Sequence, residues 1–272
     1  MKNYGLVSIV TPNFNCSQFI ESTIRSVQAQ TYQNWEMLIQ DDCSTDDSLQ
    51  KAMKMAVNDP RIKVEGNPVN LGAAVTRNNA IRRSKGVWLA FLDSDDLWLP
   101  DKLEKQLELM EKEGVNMCFC RYEHITPEGT SLGVQAKAKH HITHAQMLVH
   151  CWTGCLTVIY KQDLGNKWYG VDVKKANDYA LFLEVMKHQN EAIGLDECLA
   201  MYRIRKGSVS RSKWKKLEPQ LQVLKTVEGI PYLIGLILTV INMAIKYIWK
   251  YKKITPRQSV ASMIVDLGNP SS

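Results

Sequence analysis

Short apolar runs alternate with amphipathic stretches over the first third of the chain. The runs are rich in β-branched residues and too short for typical helices, so they predict strands buried in a parallel sheet. Strands that alternate with helices predict a doubly wound α/β fold. The predicted strands are residues 6–11, 35–40, 62–65 and 87–92, and the predicted helices are residues 17–30, residues 47–57 and a segment that carries Arg77 and Asn78.

The apolar run at residues 87–92 ends in three carboxylates, Asp93, Asp95 and Asp96. Like charges this close to a buried strand are costly unless a cation balances them. Mg²⁺ and Mn²⁺ prefer oxygen ligands and usually take one or two carboxylates. The alternative is a solvated acidic turn in which Asp96 caps the next helix. The position after a buried strand favours a ligand site, because open α/β sheets bind ligands there.

Two other strands end in polar residues. Residues 12–15 follow the first strand, and Asp41 and Asp42 follow the second. The carboxyl ends of the strands converge on one edge of the sheet, where carboxylates can accept hydrogen bonds from a nucleotide and Arg77 can pair with its phosphates. Neither a P-loop nor a Gly-x-Gly-x-x-Gly fingerprint follows the first strand.

Composition adds limits to this picture. The chain has 272 residues, 45% of them hydrophobic, and a net charge of +6 that is concentrated in the last third. Nucleic-acid binding is not expected, because the basic residues form no reading motif. The first residues run directly into a strand pattern without a signal peptide, which favours a cytoplasmic enzyme body. The seven cysteines form no Cys-x-x-Cys pair and are expected to be free thiols, with Cys118 and Cys120 packed in the core.

Four motifs follow one another along the chain: IVTPNFN at residues 9–15, QDDCSTDD at residues 40–47, NLGAAVTRN at residues 70–78 and FLDSDD at residues 91–96. In this order they resemble the family 2 glycosyltransferases. These enzymes have the GT-A fold, a Rossmann-like mixed sheet, and are inverting, metal-dependent enzymes that use nucleotide-diphosphate sugars. The resemblance extends over residues 6–212 and is to non-processive bacterial enzymes of capsule, O-antigen or teichuronic-acid synthesis. Residues 199–211 are similar to the family's closing motif.

The resemblance implies roles for these positions. Asp95 corresponds to the metal-binding carboxylate, with Asp93 as its partner at the metal or the sugar. Mn²⁺ or Mg²⁺ is the implied cofactor, and Asp96 is a helix cap or a supporting residue. The implied nucleotide-sugar contacts are Pro12 and Phe14 beside the nucleotide, Asp42 with Asp41 at a uracil base, and Arg77 near the nucleotide or diphosphate. Arg77 could instead be an ordinary surface charge on a helix.

Two positions depart from the family pattern. Cys43 stands where relatives typically have Gly, which suggests that this position does not need a positive φ angle. Asn177 replaces the usual Glu beside Asp178, and Asp178 corresponds to the catalytic base that would deprotonate the acceptor hydroxyl. Asp178 could also be only the N-terminal cap of a helix. The Asn177 replacement leaves the identity of the acceptor open.

The last sixty residues form a different kind of segment. Residues 230–245 carry no charge, and the helical pattern aligns its polar positions as one stripe. A spanning helix would place lysines on the outer side, so a helix lying on the membrane surface fits better. A helix packed on the domain or on a partner subunit is the alternative. The stripe consists of Gly235, Thr239, Asn242, Lys246, Lys250 and Lys253.

The sequence therefore predicts a catalytic domain at residues 1–212 and a C-terminal helical, membrane-associated tail at residues 213–272. The nucleotide-sugar half is about 1–97 and the acceptor half 98–212. The expected activity is sugar transfer at the inner face of the cell membrane. The favoured donor is a UDP-sugar, and the acceptor is a lipid-linked or growing saccharide. Alternatives are transfer to a polyprenyl phosphate, nucleotidyl transfer, and an inert subunit that binds nucleotide sugars.

Overall fold

One mixed sheet runs through the computed structural model, which describes residues 2–171, 176–205, 217–248 and 251–254. The first half alternates strands and helices, as predicted. Its elements are β1 (Val7–Asn13), α1 (Ile20–Gln28), β2 (Trp35–Asp41), α2 (Ser48–Asn58), β3 (Ile62–Gly66), α3 (Ala73–Arg83) and β4 (Trp88–Phe91).

The second half adds antiparallel strands and the C-terminal helices. Its strands are β5 (Leu97–Trp98), β6 (Met117–Ile125), β7 (Ser131–Ala136), β8 (His141–Thr143), β9 (Ile159–Lys161), β10 (Glu191–Arg203) and β11 (Tyr251–Lys253). Its helices are α4 (Lys102–Glu113), α5 (His144–Val149), α6 (Asn177–Gln189), α7 (Leu217–Glu228) and α8 (Tyr232–Ile248).

The strand order aligns the ends of the first three strands. The main path through the sheet is β11-β7-β6-β9-β4-β1-β2-β3, with β4, β1, β2 and β3 parallel. Asn13 is in register with Asp41, which is in register with Gly66. The polar residues after these strands therefore meet at one edge, as the sequence predicted. β4 of the first half pairs antiparallel with β9 of the second, so both halves share the sheet. Within the second half, β10 pairs in parallel with β6.

Alternate side chains of the buried strands enter two apolar layers, as a period of two requires. Val7 and Ile9 of β1 pack in one layer with side chains of α1 and α4, whereas Val10 packs in the other with side chains of α3 and α6. Cys118 and Cys120 both lie in the first layer, which confirms their predicted core position. All seven cysteines are free.

A 3₁₀ turn, Cys155–Thr157, precedes β9. The Thr157 hydroxyl and amide both donate to the Gly154 carbonyl, at 2.7 and 2.9 Å, which closes the turn before the strand begins. The predicted boundary at residue 212 lies outside the described residues.

Helix α8 packs on the domain through the first part of its polar stripe. Asn242 hydrogen-bonds both His150 and Gln220, and Thr239 is 1% exposed. Gly235 allows close approach, because a Cβ there would lie 3.2 Å from Leu221 Cδ2. These three residues of the stripe therefore face α7 and the loop after α5. The prediction is wrong for Lys253, which lies in β11 and not on the helix. Lys250 and the side chain of Lys246 lie outside what the structure describes.

The opposite side of α8 is apolar and open. No helix in the described part of the chain is long and apolar enough to cross a membrane. Large apolar side chains are exposed along this face, which leaves a continuous hydrophobic surface on the domain. They are Tyr232, Leu233, Ile234, Leu236, Ile237, Val240, Ile241 and Met243.

Candidate functional site

Two of the predicted carboxylates follow β4 and are each paired with an arginine. Asp95 Oδ2 lies 2.8 Å from Arg205 Nε, and Asp93 Oδ1 lies 3.2 Å from Arg77 Nη2. Burial raises the pKa of Asp95; Arg205 opposes this shift and Asp93 adds to it. A cation beside Asp95 favours its ionised form, and the Arg205 guanidinium supplies one.

Asp96 is the most deeply buried acid of this turn, at 1% exposure. Its Oδ1 accepts a hydrogen bond of 2.8 Å from the Arg203 amide, and its Oδ2 has no hydrogen-bond partner among the described residues. Burial raises its pKa well above the usual range, and Asp95 and Asp93 add to the shift. The helix-cap prediction is wrong, because α4 begins at Lys102 and its N-cap is Asp101. Asp96 instead ties the turn to the end of β10.

Asp42 organises the loop between β3 and α3. Its Oδ1 accepts from Asn67 Nδ2 at 2.9 Å and from the Leu71 amide at 2.7 Å, and its Oδ2 accepts from the Gly72 amide at 2.9 Å. The side chain is buried. Both oxygens thus hold the loop in place, and the predicted contact between Asp42 and a base stays a prediction.

Asp41 and Cys43 shape the turn after β2. Asp41 accepts from Asn13 Nδ2 at 2.6 Å, and from the Ser44 hydroxyl and amide at 2.6 and 2.8 Å. Cys43 has a φ angle of 61°, in the left-handed region. The expectation that this position does not need a positive φ is wrong: the turn keeps the backbone conformation that glycine adopts most easily, and the cysteine accommodates it.

The other nucleotide-contact candidates lie at the end of β1. Pro12 is in the strand and in register with Gln40, and Phe14 follows it with 45% of its surface exposed. An exposed aromatic side chain at the carboxyl edge of the sheet is available to a ligand. Their contact with a nucleotide stays a prediction.

Arg77 joins the two halves of the site. Its Nη1 donates to Asn177 Oδ1 at 2.9 Å, while Nη2 pairs with Asp93. The side chain is 7% exposed, so the alternative of a surface charge is wrong. Burial alone would lower its pKa, but nearby Cys155, Asp93 and Asp178 outweigh this and raise it. Arg77 is therefore a permanent buried cation between β4 and α6.

Asp178 is the second residue of α6. The N-cap is Ala176, in the left-handed region with a φ angle of 59°, so the alternative of an N-terminal cap is wrong for Asp178. Asp178 is partly exposed, and its Oδ1 accepts from the Tyr179 amide at 2.8 Å. The Tyr179 hydroxyl donates to the Met147 carbonyl at 2.8 Å. The first turn of α6 is thereby fixed, and a carboxylate lies beside the Arg77 site.

Comparison with known proteins assigns the family. The model of "Glycosyl transferase family 2" matches residues 8–158. The chain belongs to this family. The match covers all four motifs from which the sequence predicted the family, namely those at the ends of β1, β2 and β4 and the one at the start of α3.

Relatives of this family 2 chain include two enzymes from Escherichia coli. WfgD is 38% identical over 80% of this chain and 85% of its own length, and WfaP is 36% identical over 91% and 97%. Both are named UDP-Glc:alpha-D-GlcNAc-diphosphoundecaprenol beta-1,3-glucosyltransferases. TuaG of Bacillus subtilis, provisionally named a teichuronic acid biosynthesis glycosyltransferase, is 38% identical over 84% of this chain and 90% of its own length.

Solved structures confirm the fold class. TarS of S. aureus in complex with UDP-GlcNAc has a TM-score of 0.68 at 19% identity, covering 89% of this chain and 73% of that one. The mannosyltransferase PcManGT of Pyrobaculum calidifontis, in complex with GDP-Man and Mn²⁺, has a TM-score of 0.63 at 15% identity, covering 97% and 79%. At these identities the likeness shows the GT-A fold.

The acidic turn of this family 2 chain fits a divalent ion. Asp93 and Asp95 offer hard oxygen donors, and partial burial raises the pKa of Asp95, so that a cation would favour its ionised form. No group of three His, Cys, Asp or Glu residues in the described ranges could hold a metal by itself. Two carboxylates that share the ion with substrate phosphate oxygens are the usual arrangement for Mg²⁺.

Sequence reasoning missed one residue of the site and two pairings. The residue is Asn67, which holds Asp42. The pairings are those of Arg205, within the closing motif, with Asp95 and of Asn177 with Arg77. Asn67 directly follows β3, so the rule that polar residues at carboxyl strand ends form the site could have found it. Nothing local in the sequence indicates the other two pairs, because 100 or more residues separate the partners.

Proposed function

We propose that this chain is an inverting, metal-dependent glycosyltransferase. It moves the sugar of a UDP-sugar to a lipid-linked or growing saccharide in cell-surface polysaccharide synthesis. The main support is the Arg77 bridge, in which one buried guanidinium bonds Asp93 after β4 and Asn177 at the start of α6. This bridge brings the carboxylates of the donor side next to the first turn of α6, where Asp178 is located.

Each group has a defined role in the proposed reaction. Asp178 takes the proton from the acceptor hydroxyl as that oxygen bonds to the anomeric carbon. The bond from this carbon to the diphosphate oxygen breaks, UDP leaves with the electron pair, and attack from the opposite face inverts the configuration. Asp95 and Asp93 would hold a Mg²⁺ or Mn²⁺ ion, which would supply positive charge for the departing diphosphate. Asp42 keeps the loop before α3 in place on the nucleotide side.

The names of the relatives support the substrate class. WfgD and WfaP are named for UDP-Glc as donor and for a GlcNAc-diphosphoundecaprenol acceptor, and each is aligned over most of its length. TarS, which shares the fold, is solved with UDP-GlcNAc. A UDP-hexose donor and a saccharide on a lipid diphosphate are therefore the first substrates to try.

The test is UDP release from a panel of nucleotide sugars, with Mn²⁺ or Mg²⁺ and a GlcNAc-diphospholipid acceptor. We expect turnover with one UDP-sugar that chelation of the metal abolishes. Asp178→Asn should slow transfer about 10²–10⁴-fold, as loss of a general base does, and Asp95→Asn at least as much. Asp196→Asn is the matched control, because Asp196 is 78% exposed and pairs only with Arg121 among the described partners.

The products distinguish the alternatives. A sugar linked directly to polyprenyl phosphate would replace our acceptor assignment, and pyrophosphate release would indicate nucleotidyl transfer. Absence of both turnover and metal-dependent UDP binding would contradict the enzyme proposal and favour an inert subunit. Equal rates for Asp178→Asn and the wild type would contradict the assignment of the base.

We further propose that the apolar face of α8 lies on the inner surface of the cell membrane. The stripe of small and polar residues on α8 packs against the domain, so the apolar side chains of the helix face outward. Helix α8 is hydrogen-bonded to His150, which directly follows α5 in the acceptor half. The carbonyl of Met147 in α5 accepts a hydrogen bond from the hydroxyl of Tyr179, the neighbour of Asp178. The face would thus hold the acceptor half near lipid-linked saccharides.

Vesicle sedimentation tests this docking. The wild-type protein should bind vesicles that contain anionic lipid, and the double variant Leu233→Ser/Ile237→Ser should bind several-fold less, because it removes apolar area from the face. Val57→Ser is the matched control, since Val57 is an apolar residue of α2 with 85% exposure. Failure of the wild type to bind vesicles, together with a dimer that the double variant dissociates, would assign the face to a second copy of the chain.

A further inference from the structure

A pair of hydrogen bonds, the Asn78 clasp, joins the side chain of Asn78 in α3 to the backbone of Gly170 in the acceptor half. Asn78 Nδ2 donates to the Gly170 carbonyl at 2.8 Å, and Asn78 Oδ1 accepts from the Gly170 amide at 2.9 Å. The side chain is 9% exposed. One amide group therefore satisfies both backbone groups of a single residue 92 positions away, out of contact with most of the solvent.

Gly170 in turn lies against the first turn of α6. A Cβ at this position would be 3.4 Å from the Asn177 carbonyl oxygen and 3.7 Å from Leu181 Cβ. The neighbouring residue of α3, Arg77, bonds the Asn177 side chain. Two consecutive side chains of α3 thus hold the start of α6, one directly and one through Gly170.

The same segment is also attached to the end of α3. Lys167 Nζ donates to the carbonyls of Ile81, Arg82 and Ser84 at 3.2, 3.0 and 2.6 Å. These groups lie at the C-terminus of the helix, where a cation is favoured. Residues 167–170 therefore follow α3 as one unit.

The start of α6 needs such support. Ala176, which precedes it, has a φ angle of 59°, a conformation that is unfavourable for a non-glycine residue and persists only where surrounding contacts impose it. At its other end α3 begins after Gly72, whose amide is held by Asp42 on the nucleotide side. Helix α3 consequently connects the nucleotide loop to the turn that carries Asp178.

We propose that Asn78 is a positioning residue that holds the first turn of α6, and with it Asp178, against the donor site. This inference rests on the proposed function, since it gives Asp178 the role of base. Its effect is on the transfer step and not on nucleotide binding, because Asn78 bonds the acceptor half and none of the residues around Asp42.

Asn78→Asp is the informative change. It keeps the volume and one acceptor oxygen but places a second oxygen opposite the Gly170 carbonyl, where the Nδ2 donor was. Asn78→Ala, which removes both bonds without adding charge, is the second variant. Asn79→Asp is the matched comparison, because Asn79 is the next residue and its Nδ2 donates to Asn67 Oδ1 on the nucleotide side at 2.9 Å.

Three measurements test the proposal on the full chain. Without substrate, amide hydrogen exchange in residues 165–183 should be about tenfold faster or more in both Asn78 variants than in the wild type. With UDP and Mn²⁺, calorimetry should give a dissociation constant within about twofold of the wild-type value. Transfer from the UDP-sugar at saturating donor should fall about 10–100-fold, the scale of a small displacement of a catalytic group. Asn79→Asp should have the opposite effect on these two quantities: UDP should bind more weakly, and the larger part of kcat should be retained.

Other results would overturn the proposal. Unchanged exchange in both Asn78 variants would show that the clasp does not hold α6. Wild-type kcat in both variants, or a parallel loss of UDP affinity and kcat, would show that Asn78 has no separate role in the transfer step. A wild-type protein that neither binds nor releases UDP would contradict the proposed function instead, and the exchange result would still decide whether the clasp holds α6.

Discussion

Replacing Lys102 with Met should stabilise the protein. Lys102 is the first residue of α4 and is fully buried, with Nζ 4.0 Å from the centre of the Trp98 ring and no hydrogen-bond partner in the described part of the structure. Burial lowers its pKa from the ordinary value of 10.5 to about 8, although the Cys120 and Cys118 thiols oppose this shift. Methionine has a similar length and no charge to bury.

The pKa gives the size of the effect. A fall from 10.5 to about 8 corresponds, at about 1.4 kcal/mol per pH unit, to about 3 kcal/mol that the folded protein loses by burying the charged amine. The attraction between the Lys102 ammonium group and the Trp98 ring offsets about 1–2 kcal/mol of this loss. The net gain from Lys102→Met at neutral pH is therefore about 1–2 kcal/mol.

The gain should depend on pH with a defined sign. Between about pH 8 and 10.5 the unfolded wild-type chain holds the Lys102 proton and the folded chain has lost it, so wild-type stability rises with pH through this window. The advantage of the Met variant should shrink accordingly. Burial also raises the pKa of Cys118 to about 11 and of Cys120 to about 12, which lowers stability at high pH in both proteins and largely cancels in the difference.

Urea unfolding near pH 7 and near pH 10 measures this difference. Lys112→Met is the matched control: Lys112 lies on the same helix with 75% of its side chain exposed, and its replacement should change stability by less than about 0.5 kcal/mol. A less stable Lys102→Met variant, or a gain that is the same at both pH values, would refute the reasoning.

Three further predictions concern the site. Asp42→Asn should weaken UDP binding about tenfold or more in calorimetry, because a charge-assisted bond to the loop amides is worth about 1.5–3 kcal/mol; unchanged affinity would contradict the loop-holding role. Cys43→Gly should raise the free energy of unfolding by up to about 1 kcal/mol by relieving the left-handed backbone, and a less stable variant would show that the side chain compensates. Arg205→Gln should strengthen Mn²⁺ binding without nucleotide several-fold, since the guanidinium 2.8 Å from Asp95 Oδ2 competes for that oxygen; weaker binding would speak against competition.

The alternating half was predictable because its signals are local. Each buried strand is a short apolar run, and the structure places β1 to β4 within one or two residues of the predicted ranges, with Asp41 and Asp93 at or just after strand ends. The convergence of these ends follows from parallel pairing alone, which is why the sequence could predict that these polar residues meet at one edge of the sheet.

Two of the errors originate in partners that lie far away in the sequence, whereas the error at Cys43 has a local cause. Asp96 looks like a helix cap in sequence, yet its oxygen accepts from the Arg203 amide, 107 residues away. The polar stripe of α8 could be recognised, but whether it faces lipid, water or protein depends on Asn242 finding His150 and Gln220. The backbone at Cys43 is set by the bonds that Asp41 makes with Ser44, and residue type alone pointed the other way.

The close packing of α8 also has a geometrical consequence. Gly235 and Asn242 join the helix to α7 and to the loop after α5, so its open face keeps a constant orientation relative to the sheet. A flat surface that rests on this face removes three of the six rigid-body degrees of freedom of the domain, namely height and two tilts. Rotation about the surface normal and sliding along two directions remain, and the search for an acceptor becomes two-dimensional.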